Sequence, residues 1–146
     1  MEITIVVCLL AMVGAAGLSI GIDFSKDSFR SDRDMAVASL QKARSLAINN
    51  VCLGSGCVDG KSHGVHFDPA ARSVVIFQGE DFSGRDQSVD EVIEFGARPV
   101  HIEDSSAFDV VFERLSGDSF ARSITMDDGR GRYSMISING LGRIDW

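Results

Sequence analysis

Ile3 to Ile22 is a run of twenty residues without a charge, preceded by a single carboxylate, Glu2. This run constrains the chain more than any other feature. As a helix rising about 1.5 Å per residue it would reach about 30 Å, the thickness of a bilayer's hydrocarbon core. The flank is unusual, because ordinary anchors and export signals open on Lys or Arg. A carboxylate at the lip of an apolar helix is costly to bury in lipid and calls for a partner. A cleaved signal fits less well. The run is too long for an h-region, no basic segment precedes it, and it passes directly into a helical pattern.

That pattern continues from Asp23 to Asn50. Ala36, Leu40, Ala43 and Ala47 recur at helical spacing, and Arg30 and Asp34 are placed to pair at i,i+4. No proline interrupts Met1 to Asn50. The expectation is one long helix, apolar all round over 1–22 and amphipathic over 23–50. Gly14, Gly17 and Gly21 weaken it by roughly 1 kcal/mol each relative to Ala. Gly17-x-x-x-Gly21 also has the small-residue spacing that lets helices approach in lipid. The helix is expected to persist in a bilayer and to loosen around these glycines when packed against neighbours.

Asn49-Asn50 and a glycine-rich stretch close the helix. Beyond it, short apolar or alternating runs predict strands at His63–Phe67, Ser73–Gln78, Glu91–Phe95, Val100–Glu103, Asp109–Leu115, Ser123–Met126, Tyr133–Ile138 and Gly142–Trp146. Asp68-Pro69, Gln78-Gly79, Ser116-Gly117-Asp118 and Asp128-Gly129 mark turns, and Asn139-Gly140 marks a hairpin. The acid-rich stretch Gly79–Asp90 predicts an exposed loop. The expected fold class is α+β, a long N-terminal helix packed on an antiparallel β-rich head over residues 51–146.

The net charge of −7 resides in that head, since residues 23–50 are nearly balanced. An acidic head repels nucleic acid and anionic lipid on average. Cys52 and Cys57 flank a loop containing two glycines and predict a disulfide in an exported domain. The closed loop is short, so its entropic gain falls below the ~3 kcal/mol typical of a 15-residue loop. Cys8 lies in the apolar run and reads as a small packing side chain. His63 and His66 follow the cysteine pair and raise a zinc alternative. Residues three apart on a strand face opposite sides, however, so the histidines would not converge. No metal and no cofactor are expected. There is no Gly-x-Ser-x-Gly, P-loop or His-Glu-x-x-His, and no enzyme signature.

The start Glu2-Ile3-Thr4-Ile5-Val6-Val7-Cys8-Leu9-Leu10-Ala11 resembles the N-terminus of type IV pilins and type II secretion pseudopilins. Glu2 stands where that family's glutamate stands. Only Met1 precedes it. The family's basic leader, its glycine and the first mature residues are absent, as expected of a recorded start downstream of the true one or of a trimmed chain. Further on, Ala43-Arg44-Ser45-Leu46-Ala47-Ile48, then His63-Gly64-Val65-His66-Phe67, then Gly142-Arg143-Ile144 resemble the minor group called GspH/FimT-like. The resemblance implies a structural subunit rather than an enzyme, anchored in the inner membrane through residues 3–22 with its head outside. It implies other pilin or pseudopilin subunits as partners in a helical filament. A prepilin peptidase and an inner-membrane assembly platform are implied with them. Glu2 would neutralise a neighbour's amino terminus and so specify axial register.

Some FimT-like minor pilins bind DNA through Gly-Arg-x-Arg near the C-terminus. Gly142-Arg143-Ile144-Asp145 matches its first half. Gly129-Arg130-Gly131-Arg132 matches the letters in a predicted hairpin turn, so Arg130, Arg132 and Arg143 are the candidate nucleic-acid contacts. Two further alternatives stand beside these, a plain single-span anchor carrying a binding domain and an anchored enzyme with convergent carboxylates around Glu91 and Glu94.

Overall fold

The computed structural model describes residues 28–55, 57–95, 101–102 and 106–146. One helix, α1, covers residues 28–48. Eight strands follow: β1 His63–Asp68, β2 Ser73–Gln78, β3 Glu91–Glu94, β4 His101–Ile102, β5 Phe108–Phe112, β6 Arg122–Asp127, β7 Tyr133–Ile138 and β8 Ile144–Asp145. They form two antiparallel four-stranded sheets, ordered β3-β2-β1-β5 and β4-β6-β7-β8.

This architecture corrects the expected fold class. The described helix is confined to 28–48, and no described helix is long and apolar enough to cross a membrane. Among the described residues the chain is a small β-rich domain with one α-helix and a 3-10 turn at Gln87–Val89, not a long helix seated on a β head. The physical reason lies in what the helix buries. Ala36, Leu40, Ala43 and Ala47 are fully buried and share one core with Val65, Phe67, Val110, Phe112, Ile124, Met126, Ile136 and Ile138 of the two sheets. Small side chains on that stripe let α1 lie close against the strands. Helical periodicity shows such a face but does not show that two sheets, rather than neighbouring helices, cover it. The apolar run 3–22, Glu2, Gly14, Gly17 and Gly21 lie outside the described residues.

The C-terminus of α1 has a defined chemical cause. Asn50 adopts φ +52°, its N–H donates to Ala47 O and the N–H of Val51 donates to Leu46 O. These are the paired bonds of a Schellman closure, with Asn in the left-handed position. Leu115 N–H donates to Ala47 O at 2.9 Å, tying the β5–β6 connection to the same helix end. The Arg30–Asp34 pairing does not form. Asp34 is held instead by its neighbour Arg33, at 2.6 Å. Lys42 pairs with Glu91 of β3 on an exposed surface, where such pairs contribute at most about 1 kcal/mol.

The β7–β8 hairpin differs from a two-residue turn at Asn139-Gly140. The loop runs from 139 to 143. Asn139 Oδ1 accepts from Leu141 N and Arg143 N, and the left-handed residue is Gly142, at φ +67°. Asn139 therefore acts through its side chain, as an Asx turn.

Candidate functional site

The outer face of the first sheet carries the densest polar and aromatic cluster among the described residues. β2 is buried on both faces. Val74 and Ile76 face the common core, while Val75 and Phe77 lie on the other side. Gly64 of β1 makes room for Phe77, since a Cβ at 64 would sit 2.5 Å from its ring. The segment 79–90 is mostly exposed, as predicted, but lays the half-buried Phe82 and Arg85 over this face. Phe82 packs edge-on against Phe77 and stacks on His66 with centroids 3.6 Å apart. The Arg85 guanidinium lies 3.4 Å from the Phe82 ring centroid.

Hydrogen bonds fix this stack. His66 Nδ1 is 2.6 Å from Asp109 Oδ1, and Asp109 Oδ2 accepts from Phe82 N at 3.3 Å. Arg85 donates to Asp90 Oδ2 and to Phe82 O. A His–Asp pair can serve general-base chemistry. Here both Asp109 oxygens are engaged and the imidazole face is covered by Phe82, so the pair works as a clamp on the 79–90 segment. Sequence reasoning missed it. The only signals were a lone aromatic in an acid-rich loop and an outward-facing histidine on β1.

Around that loop the carboxylates are stabilised locally. The Ser83 hydroxyl and the Gly84 N–H hold Asp81 below its ordinary pKa of 3.8. The Ser88 hydroxyl and N–H do the same for Asp86.

The second polar site pins the 51–61 segment. Cys52 and Cys57 form a disulfide, with Cα atoms 5.8 Å apart. Buried Gln78 grips the main chain inside that loop, accepting from Leu53 N at 2.7 Å and donating to Leu53 O at 3.2 Å. His63 Nε2 lies 3.0 Å from Val51 O, with His63 almost fully buried. The four residues of the zinc alternative are thus occupied otherwise. The cysteines are joined to each other, His63 faces the core and Val51, and His66 faces Asp109 on the opposite side of β1. No cluster of metal-ligating side chains is found among the described residues.

Burial lowers the His63 pKa from its ordinary 6.5, opposed in part by the bond to Val51 O. The folded state therefore disfavours a proton that the unfolded chain accepts below 6.5. The His63 contribution is fully present above that pH and is lost as the pH falls through it towards the folded value. Thermal melts should show the midpoint dropping between pH 7.5 and pH 5. His63→Asn should melt along a flatter curve through that window. Parallel curves for the two proteins would contradict the assignment.

The candidate nucleic-acid arginines do not converge. Arg130 and Arg132 lie in the β6–β7 turn and Arg143 in the β7–β8 loop, at opposite ends of β7. Six residues of strand separate these ends by about 17–20 Å. Asp128 closes the first turn. Burial works to raise its pKa, but the N–H groups of Arg130 and Arg132 and the Arg132 guanidinium outweigh burial and lower it. Arg132 is ion-paired to Asp128 and Arg143 to Asp145. That leaves the Arg130 guanidinium as the one of the three without a carboxylate partner among the described residues, and a single charge releases few counterions from a phosphate backbone.

Comparison with models of protein families, with curated proteins and with solved structures returned no match.

Proposed function

We propose that this chain is a pilin-like structural subunit that assembles through its N-terminal segment and displays the β-rich domain on the resulting filament. The observation that carries this reading is Glu2, alone ahead of an uncharged run of bilayer length. A carboxylate in a low-dielectric site is strongly disfavoured unless a cation lies beside it. A neighbouring subunit in one axial register would supply that cation, so the same group that resists burial alone selects a partner. The clamped loop and closed turns of the β-rich domain suit a displayed scaffold, since Asp81, Asp86 and Asp128 are each bonded to donors within their own loop or turn. The proposed setting is the inner membrane before assembly and the cell exterior or periplasm afterwards. An assembly platform and a leader peptidase would act there on the chain.

The test is Glu2→Ala in the native cells. The melting temperature of the β-rich domain should stay unchanged while recovery of the chain in a sheared filament fraction falls at least tenfold. Normal recovery of the variant would remove the basis for this reading and leave a plain anchor in its place.

A further inference from the structure

We infer that the free edge of β5 is a docking site for an extended basic peptide segment of a partner protein, which adds as a strand to the first sheet. The inference does not depend on the filament reading. β5 is the last strand of the order β3-β2-β1-β5, so one of its edges has no strand beside it among the described residues. The side each residue faces follows from the bonds around it. Gly79 N–H donates to Ser62 O, which directs residues 62, 64 and 66 towards β2 and residues 63, 65 and 67 towards β5. The latter meet Phe112, Val110 and Phe108. Asp109 and Val111 must then turn their N–H and C=O groups outward. Glu113, two residues further, confirms the parity, since its N–H donates to Asp118 O and its C=O accepts from Gly117 N.

After that turn the chain diverges. Ser119 N–H donates to Gly140 O, which draws residues 119–121 towards the second sheet. The gap between β5 and the departing chain is a groove of about 910 Å³. One wall is the unpaired main chain of Asp109 and Val111. At the other stands Phe120, 92% exposed. An unpaired strand edge beside a groove is the geometry of strand addition, in which main-chain bonds give affinity and alternate side chains give specificity.

Charge selects the occupant. The groove is lined by four carboxylates, Glu80, Asp109, Glu113 and Asp118, and two guanidinium groups, Arg114 and Arg122. Arg114 donates to Gly60 O and Arg122 lies over the Phe108 ring. Asp109 is committed to His66 and Phe82. No cation pairs with Glu80, Glu113 or Asp118 among the described residues. A second copy of this acidic chain, adding through its own β5, would bring Asp109 and Glu113 against these groups and be repelled. A segment alternating basic and apolar residues would match both the charge and Phe120.

The test uses the full chain in non-ionic detergent and a fluorescent octapeptide of alternating Lys and Val. Saturable binding is expected, with amide shifts at Asp109, Val111 and Glu113. Val111→Pro removes an N–H that no described residue uses, and edge strands tolerate proline on that side. It should weaken binding at least tenfold. Should that variant misfold, Glu113→Lys/Asp118→Lys decides, with the same loss expected. The peptide methylated on alternate amides, and the octapeptide of Glu and Val, should each bind at least tenfold more weakly. Any of four results overturns the inference: no saturable binding, equal binding of either control peptide, unchanged binding by a folded variant, or self-association that Val111→Pro abolishes.

Discussion

Phe67→Ala is expected to cost about 3–5 kcal/mol, the range for removing a buried phenylalanine ring. Phe67 is fully buried on β1, which is hydrogen-bonded on both sides, and its ring stacks on Phe108 with centroids 5.1 Å apart. Neither neighbouring strand can close over the cavity without breaking a ladder. A domain of this size has about 5–15 kcal/mol in total, so the variant should lose a large part of its stability. Chemical denaturation with urea measures it directly. A midpoint shift corresponding to less than 1 kcal/mol would show that the core around β1 collapses freely.

Gly142→Ala should be comparably damaging, for a different reason. A Cβ at this position would lie 1.9 Å from the Gly117 carbonyl oxygen, and the residue sits at φ +67°. The left-handed backbone alone costs a non-glycine residue about 1–2 kcal/mol. The clash adds to it, because the obstructing atom is main chain held by the β5–β6 turn. Two sibling glycines separate the contributions. Gly131 has φ +84° with open space around it, so Gly131→Ala should show the backbone cost alone. Gly140 has neither positive φ nor a neighbour within 4 Å, and Gly140→Ala should be nearly neutral. Melting temperatures that fail to fall in the order 140, 131, 142 would refute this account of the loop.

The sequence carried the elements further than their arrangement. The buried stripe of α1 was legible because Ala36, Leu40, Ala43 and Ala47 keep helical spacing. β1, β2 and β5 were legible because their residues alternate or are largely apolar, whereas β4 and β8, two residues each, carry no such pattern of their own. What the α1 stripe packs against was not legible, since helical spacing marks a buried face without naming its partner. The covered outer face of the first sheet was hidden for another reason. Its burial depends on Phe82 reaching His66 and Asp109, contacts that join residues far apart in the chain and leave no periodic trace. The groove beside β5 depends on strand order, which spacing does not encode. Asp34 shows the same limit locally. An i,i+4 geometry favoured Arg30, yet the adjacent Arg33 reaches it.

The way α1 ends has a mechanical consequence. Its stripe lies along the core, and its last turn, closed on itself at Asn50, is tied by main chain to the β5–β6 connection through Leu115 to Ala47. A pull on the chain ahead of residue 28, directed along the helix axis, would load the whole stripe in shear. Contacts loaded together share the force, whereas contacts peeled from one end fail in turn. The bond at Ala47 lies at the far end from that pull, so among the described residues the point where tension enters is not the point where main chain ties the helix to the β5–β6 connection.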